Sequence, residues 1–477
     1  MAVKRVFIVA DHGLAIFYFF QSEVINTLLE HGIEVVILTD EESIDSIQDR
    51  FGRPGLKFKG LRLNKVRKYI NSHSPALQWW LDFLRRAGAA DKGNLAVVKS
   101  YIRQVKSEAH ARRKRLFPIM ELIIKVLRKS RIARQTLVRF QSRFTPDIYD
   151  DLFDEYKPDL VIASSPGFRQ DRYILRSAGK HKVPTTAAIF SWDSTSSYGL
   201  PGAVVDGITC WSEIQKGELV EGADWKPETV NVGGMPPYDG YVRKEWLMKR
   251  EEYFNYHGMD PSRKLLTYAS SFVNLSPNIQ NIQALVNLVN SDLLSAPSQL
   301  LVRLHPIHMS GFYVEEADQI RELAKNNPHV HIVEPEPTGD LGYYSFDDMS
   351  EKTSMMGVAD IFLTVYSTMC VEATFQERPI ISVCIDSETG WPGRYWLPMS
   401  QIGIWPTHSR FRASGAGRVA TNETELCEAI NYYYSHPQAD LQAQRKFVVQ
   451  ECTFIDGSAG RRTGEYFVSL LNGSDVE

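Results

Sequence analysis

Two short runs place imidazole, guanidinium and hydroxyl groups directly behind apolar stretches. Arg303-Leu304-His305-Pro306-Ile307-His308 closes the run Gln299 to Leu304, and Tyr366-Ser367-Thr368 closes the run Ile361 to Val365. Donors and cations at a strand's carboxyl end suit a phosphate. A Ser-Thr pair opening a helix adds hydroxyls, free backbone N–H groups and the positive end of the helix dipole, so no metal is needed for the grip. Arg303, His305, Ser367 and Thr368 are therefore the candidate phosphate ligands. Glu372 lies four residues beyond Thr368 and so shares its helix face, where it is expected to accept hydrogen bonds from ribose hydroxyls. Tyr268-Ala269-Ser270-Ser271 ends another strand and offers Ser270 and Ser271 as further donors. A Ser-Thr pair before a helix is also an ordinary N-cap; the order RLHP, apolar strand, YST, Glu within one half of the chain favours phosphate chemistry.

A second set lies nearer the amino terminus. Transfer to a hydroxyl needs a group that takes its proton as the new bond forms. The polar run Ser191 to Ser197 follows the strand Thr185 to Phe190, and Asp193 within it is the first choice of catalytic base. Asp11 and His12, directly after the first strand, are its rivals. Asp193 also fits a loop-capping role. The loop Glu334 to Thr338 follows another strand and is placed to border a nucleotide base through its backbone, with no side chain that selects one base.

The elements that must position these residues alternate short apolar runs with amphipathic helical stretches, which is the pattern of parallel βαβ units. Val6 to Ala10 reads as a strand, Ala15 to His31 as a helix closed by Gly32, and Glu34 to Leu38 as a second strand. After an irregular stretch, helical periodicity runs from about Leu77 to Phe144. The alternation then resumes with strands at Asp159 to Ala163, Thr185 to Phe190, Gly207 to Trp211 and Thr229 to Val232. The turn formers Gly233 to Asp239 and the charged helical stretch Arg243 to His257 mark a hinge. A second series follows, with strands at Lys264 to Ala269, Gln299 to Leu304, His329 to Val333, Ile361 to Val365 and Pro379 to Val383. The expected division is an N-terminal Rossmann-like domain over 1–235 with a helical insertion at about 75–145, a hinge and linker helix over 236–260, and a second Rossmann-like domain over 261–455. A C-terminal helix over 456–477 is expected to pack back on the first domain. Two such halves are expected to face a common cleft with their strand carboxyl ends.

A chain of 477 residues exceeds a single core, and 43% hydrophobic with 23% charged residues is the composition of an ordinary folded protein. VFIVA is too short for a signal-peptide core and has no small-residue cleavage site behind it, so the expectation is a cytoplasmic protein. The five cysteines have neither CxxC nor metal spacing and read as reduced core thiols. A net charge of -3 hides an asymmetry. Lys99 to Arg143 holds fourteen Lys or Arg against Glu108 and Glu121, about +12 in all, interleaved with apolar residues. Such a segment is either a solvated helical face or a surface for an anionic bilayer or a lipid-linked acceptor. Nucleic acid is not implied, because no binding module accompanies the charge.

RLHP, TVYSTMCVEA, Arg378-Pro379-Ile380-Ile381 and Phe454-Ile455-Asp456-Gly457-Ser458 together resemble the GT-B superfamily that groups CDP-glycerol glycerophosphotransferases, bacterial sialyltransferases with His-Pro and Ser-Ser/Thr motifs, and surface polysaccharide glycosyltransferases. The likeness covers mainly 185–465. It implies a GT-B fold and donor-phosphate contacts from His305, Ser367 and Thr368. It also implies an inverting, metal-independent transfer from a CMP-, CDP- or UDP-type nucleotide sugar, with no further cofactor, to a surface-glycan or lipid-linked acceptor; the basic segment 99–143 adds the expectation of a peripheral place on the inner face of the membrane. A CDP-polyol phosphotransferase, a nucleotide-sugar 2-epimerase and a non-catalytic binding module are the alternatives.

Overall fold

The computed structural model describes residues 3–93, 95–270, 276–335 and 348–473. Ser271 and the loop residues Glu336 to Thr338 lie outside them. The chain forms two compact units, one running to Asp239 and resuming at Cys452, the other spanning Gly240 to Glu451.

The first unit holds a parallel sheet of seven strands: β1 (Arg5–Ala10), β2 (Glu34–Thr39), β3 (Leu56–Gly60), β4 (Leu160–Ala163), β5 (Thr185–Ala188), β6 (Gly207–Cys210) and β7 (Val230–Val232), in the order β3-β2-β1-β4-β5-β6-β7. The second unit holds six: β8 (Lys264–Ala269), β9 (Ser298–Arg303), β10 (Val330–Val333), β11 (Ile361–Thr364), β12 (Ile380–Val383) and β13 (Arg418–Ala420), in the order β10-β9-β8-β11-β12-β13. All pairings are parallel, for example Ile8 with Ile37 and with Ile162, and Tyr268 with Val302 and with Leu363. Helices cover both faces of such sheets, so their central strands are apolar throughout rather than alternating, and Val6 to Ala10 are fully buried.

In each sheet the strand order reverses beside the first strand of its unit: β1 lies between β2 and β4, and β8 between β9 and β11. Connections leave the sheet in opposite directions there, and the crevice outside those carboxyl ends is where open α/β sheets take ligands.

Several local expectations are corrected. The helix over Ala15 to His31 is two helices, Gly13–Phe20 and Val24–Glu30. Ser22 explains the break: its hydroxyl donates to the Tyr18 carbonyl at 2.7 Å and accepts from the Val24 N–H at 3.4 Å, competing with the helical ladder. The stretch read as irregular contains β3, a short edge strand whose Lys57 and Lys59 obscure its alternation while guarding the edge. The edge strand β13 also escaped the pattern. The linker helix is interrupted after Arg243: Lys244 takes the left-handed conformation, and the Trp246 ring lies where a Cβ on Gly240 would sit, 2.1 Å away.

The basic insertion is a helical layer with its own core. Helices Pro75–Ala87, Leu95–Glu108, Phe117–Lys129 and Arg131–Phe140 bury Trp80, Phe83, Val98, Phe117, Ile124 and Leu127. No helix among the described residues is long and apolar enough to cross a membrane.

The chain's last helix, Ala459–Leu471, packs on Val24–Glu30 in the first unit. Asp239 fixes its start by accepting from the Ala459 and Gly460 N–H groups at 3.0 and 2.8 Å. Gly460 and Gly464, one turn apart, let the backbones approach: a Cβ would meet Glu23 N at 2.7 Å and Thr27 Cβ at 2.5 Å. Gly464→Val therefore overpacks a buried helix contact and is expected to destabilise the first unit by about 1–3 kcal/mol. Urea unfolding followed by circular dichroism reads this, and an unchanged midpoint contradicts the close packing.

Candidate functional site

In the second unit, β9 ends in Arg303 and the chain turns at once through His305 and Pro306. Ser270, just past β8, ties the two strand ends together. Its N–H and hydroxyl each donate to the Arg303 carbonyl at 3.0 Å, and its hydroxyl oxygen accepts from the His305 N–H at 2.8 Å. His308 works inward rather than toward a ligand. Its Nδ1 accepts from the same His305 N–H at 3.2 Å, so its proton is on Nε2, which faces Glu316 at 2.8 Å. Glu316 in turn accepts from the Ile279 N–H at 2.9 Å.

His305 is half-buried, and its Nδ1 accepts from the Ile307 N–H at 3.1 Å. A nitrogen that accepts carries no proton, so the neutral ring holds its hydrogen on Nε2. Burial, then His308, Arg303 and Lys352, lower its pKa to about 3, and near neutral pH it is an uncharged donor.

Arg303 is 6% exposed. One guanidinium nitrogen pairs with Asp348, while the buried Nη1 has no hydrogen-bond partner among the described residues. The expected direct phosphate cation is thus a buried, half-satisfied group beneath the turn. Glu372 is corrected more strongly: it is 5% exposed, pairs with Lys352 at 2.6 Å and accepts from the Tyr241 hydroxyl at 2.5 Å. A carboxylate so engaged is no open acceptor on the helix face.

Across the reversal, β11 leads into Tyr366-Ser367-Thr368. Ser367 and Thr368 are half-exposed, and the Ser367 hydroxyl oxygen accepts from the Met369 N–H at 3.2 Å. The helix behind them, Met369–Thr374, has only six residues and so adds little dipole; the hydroxyls and loop N–H groups are what this turn offers. Tyr366 stacks on the buried His408, ring centroids 4.5 Å apart, and this anchors the turn. The second unit thus brings Ser270, Arg303 and His305 together at two adjacent strand ends, with Ser367 and Thr368 just past the strand across the reversal.

In the first unit, Asp11 and His12 follow β1. Asp11 Oδ1 lies 2.6 Å from His12 Nδ1 and accepts from the Ser164 hydroxyl at 2.6 Å; Arg169 Nε is 3.8 Å from Oδ2. Burial pushes the Asp11 carboxyl up, but His12, Arg169 and Ser164 together outweigh it and hold the pKa at about 2. An ionised carboxylate on Nδ1 keeps the imidazole proton there and leaves Nε2 as the basic nitrogen. Asp171, buried beside them, is raised to about 6 by burial and by Asp11, and closes the loop after β4 by accepting from Ser165 Oγ at 2.6 Å and the Arg169 N–H at 3.0 Å.

Asp193 is differently placed. Its two carboxylate oxygens accept from the Ser191 and Ser197 hydroxyls at 2.6 and 3.2 Å within its own loop. That loop is near the dyad, since the rings of His12 and Phe190 are 5.9 Å apart. Sequence reasoning missed Ser164, Arg169 and Asp171, although Ser164-Ser165-Pro166-Gly167 directly after a strand carried the signal. Among the described residues no three His, Cys, Asp or Glu side chains gather in a metal-holding group.

No family model and no curated protein matches the chain. Solved structures do. A UDP-GlcNAc 2-epimerase from Neisseria meningitidis bound to UDP-GlcNAc is similar with a TM-score of 0.53 at 12% identity, over 98% of this chain and 100% of that one. S. aureus MnaA with UDP gives 0.55 at 12% identity, covering 98% and 97%. A glycosyltransferase from Rickettsia africae gives 0.51 at 10% identity, covering 99% of each. The fold is GT-B. At such identities the likeness carries the fold alone.

Two histidines with lowered pKa values make stability depend on pH. His305 and His408 each fall from 6.5 to about 3, His408 through burial and then Arg410 and Arg412. Between these values the unfolded chain binds protons that the folded chain refuses, so stability is lost as pH falls through that window. Asp171, raised to about 6, opposes the trend by a single proton. The urea midpoint is expected to drop between pH 7 and pH 5, and to drop less in His408→Phe; equal drops in both proteins contradict the assignment.

Proposed function

We propose that the protein is an inverting, metal-independent glycosyltransferase that uses a nucleotide-sugar donor and a hydroxyl acceptor on a surface glycan or a lipid-linked carrier. The observation that carries this reading is the Asp11–His12 pair, 2.6 Å apart at the strand-order reversal of the first sheet. His12 Nε2 takes the acceptor proton as the acceptor oxygen bonds to the anomeric carbon and the bond to the leaving phosphate oxygen breaks. Asp11 stabilises the imidazolium that forms. The His305 Nε2–H and the hydroxyls of Ser367 and Thr368 meet the charge that develops on the leaving phosphate. Arg303 holds the turn and adds positive potential from below. Asp193, tied to two serines, shapes the acceptor loop.

A 2-epimerase is the second reading, favoured by the epimerases among the similar structures. Incubation with CMP-, CDP-, UDP- and GDP-linked sugars, with and without glycan acceptors, separates the two: a transferase releases nucleotide in step with acceptor glycosylation, and an epimerase returns an isomeric nucleotide sugar with no acceptor present. CDP-glycerol in the same panel tests phosphotransfer, and inertness toward every donor leaves a binding module.

Under saturating donor, His12→Ala is expected to lower kcat by about 10²–10⁴-fold and Asp193→Asn by far less. Steady-state assays with product analysis decide it, and a reversed order returns the base to Asp193.

On the donor side, His305→Ala is expected to lose about 2.7–4 kcal/mol of transition-state stabilisation. Ser367→Ala with Thr368→Ala is expected to weaken a nucleoside diphosphate in calorimetry while leaving the nucleoside unchanged. Equal losses for both ligands make the pair a structural cap.

A further inference from the structure

The charge asymmetry of the insertion acquires a geometry in the fold. On Phe117–Lys129 the inner face carries Phe117, Ile124 and Leu127 into the insertion core, while Ile119, Leu122 and Val126 are 55, 62 and 53% exposed on the outer one. Arg115, Lys125 and Lys129 flank that stripe, and the helix's acid, Glu121, pairs with Lys106 at 2.9 Å. The next helix, Arg131–Phe140, repeats the pattern with exposed Ile132, Arg139 and Phe140.

Behind this second helix lies a cavity of about 350 Å³, within the range of small-ligand sites. Arg131, Arg139 and Lys226 line it, all exposed and none in an ion pair among the described residues. Its two acids are already engaged. Asp224 receives the buried Arg134 guanidinium at 2.6 and 2.7 Å, and Asp206 accepts from the Thr185 N–H and hydroxyl at 2.9 and 3.0 Å. Three uncompensated cations therefore share the cavity with an apolar wall of Val138, Leu200 and Trp225, whose buried indole N–H has no partner among the described residues. Asp206 and Thr229 immediately precede β6 and β7, so the cavity opens at the amino ends of the strands. Asp11, His12 and Asp193 follow carboxyl ends.

We infer that this cavity is an accessory binding site for a phosphate group carried on an apolar stem, and that the exposed Ile119, Leu122 and Val126 stripe, on the helix that packs against the cavity's Arg131–Phe140 wall, rests on the anionic bilayer that supplies such lipids. The cations meet the phosphate, the apolar wall meets the stem, and the stripe enters the interface. The site is separate from the groups assigned to transfer and holds whether or not that reading does.

Calorimetry with dihexanoyl phosphatidic acid, dihexanoyl phosphatidylcholine and inorganic phosphate, together with flotation on phosphatidylcholine vesicles with and without phosphatidic acid, tests it. Wild-type protein is expected to prefer the phosphatidic acid in both formats. R131Q/R139Q/K226Q is expected to lose roughly tenfold or more in affinity for the short-chain lipid. I119S/L122S/V126S is expected to keep that affinity and lose flotation. Turnover on soluble substrates is expected to be unchanged in both, so its loss in wild type counts against the transferase and not against the cavity. Equal binding of the two short-chain lipids, or unchanged binding by the pocket variant, overturns the site. Inorganic phosphate binding as tightly as the lipid overturns the apolar stem.

Discussion

In a parallel sheet every strand ends on the same side, so side chains meant for one ligand are gathered only where the connections part. Both sheets have a single such place, between β1 and β4 and between β8 and β11. Each strand end there is held by a hydrogen bond to its neighbour across the sheet: Ser164 reaches Asp11, and Ser270 reaches Arg303 and His305. These bridges set the direction of the Asp11–His12 pair and of the His305 turn. A serine hydroxyl does this well because it donates and accepts at once, taking up two groups that the ends of the ladder leave open.

The electrostatics follow from which buried groups have partners. Asp11 and Asp171 are near neighbours in the same loop cluster, yet one is held at about 2 and the other raised to about 6. The difference lies in the partners of Asp11: His12, Arg169 and Ser164. Two carboxylates pushed apart in this way take up their protons at different pH, Asp171 first and Asp11 only in strong acid, so the charge beside the imidazole is the last to be lost. In the second unit the reverse economy applies: burial first, then His308, Arg303 and Lys352, keep His305 neutral, so a hydrogen-bond donor is presented without a further cation.

Much of this was legible in the chain because parallel strands buried on both faces write themselves as apolar runs. VFIVA, LLVRL and the run before Tyr366 are such strands, and the polar residues behind them are candidate site residues for that reason. The pairing of Asp11 with Ser164 was not legible, since it depends on β4 lying beside β1 across a long insertion, and strand order is not written in any local period. Glu372 misled for a related cause. Helical spacing gives the face of a residue but not what lies opposite, and here Tyr241 and Lys352 fill that space. Lysine-bearing β3 shows that a strand at a sheet edge loses the alternation by which strands are recognised.

The return of Ala459–Leu471 to the first unit bears on how the protein comes into being. The helix Val24–Glu30 leaves the ribosome long before the glycine-faced helix that covers it, with the whole second sheet encoded between them. The second sheet, built wholly from the chain between them, has all its strands before its neighbour has its final helix. For the length of that interval the surface around Thr27 is bare, so the first sheet receives one of its close helix contacts only after its neighbour's strands are made.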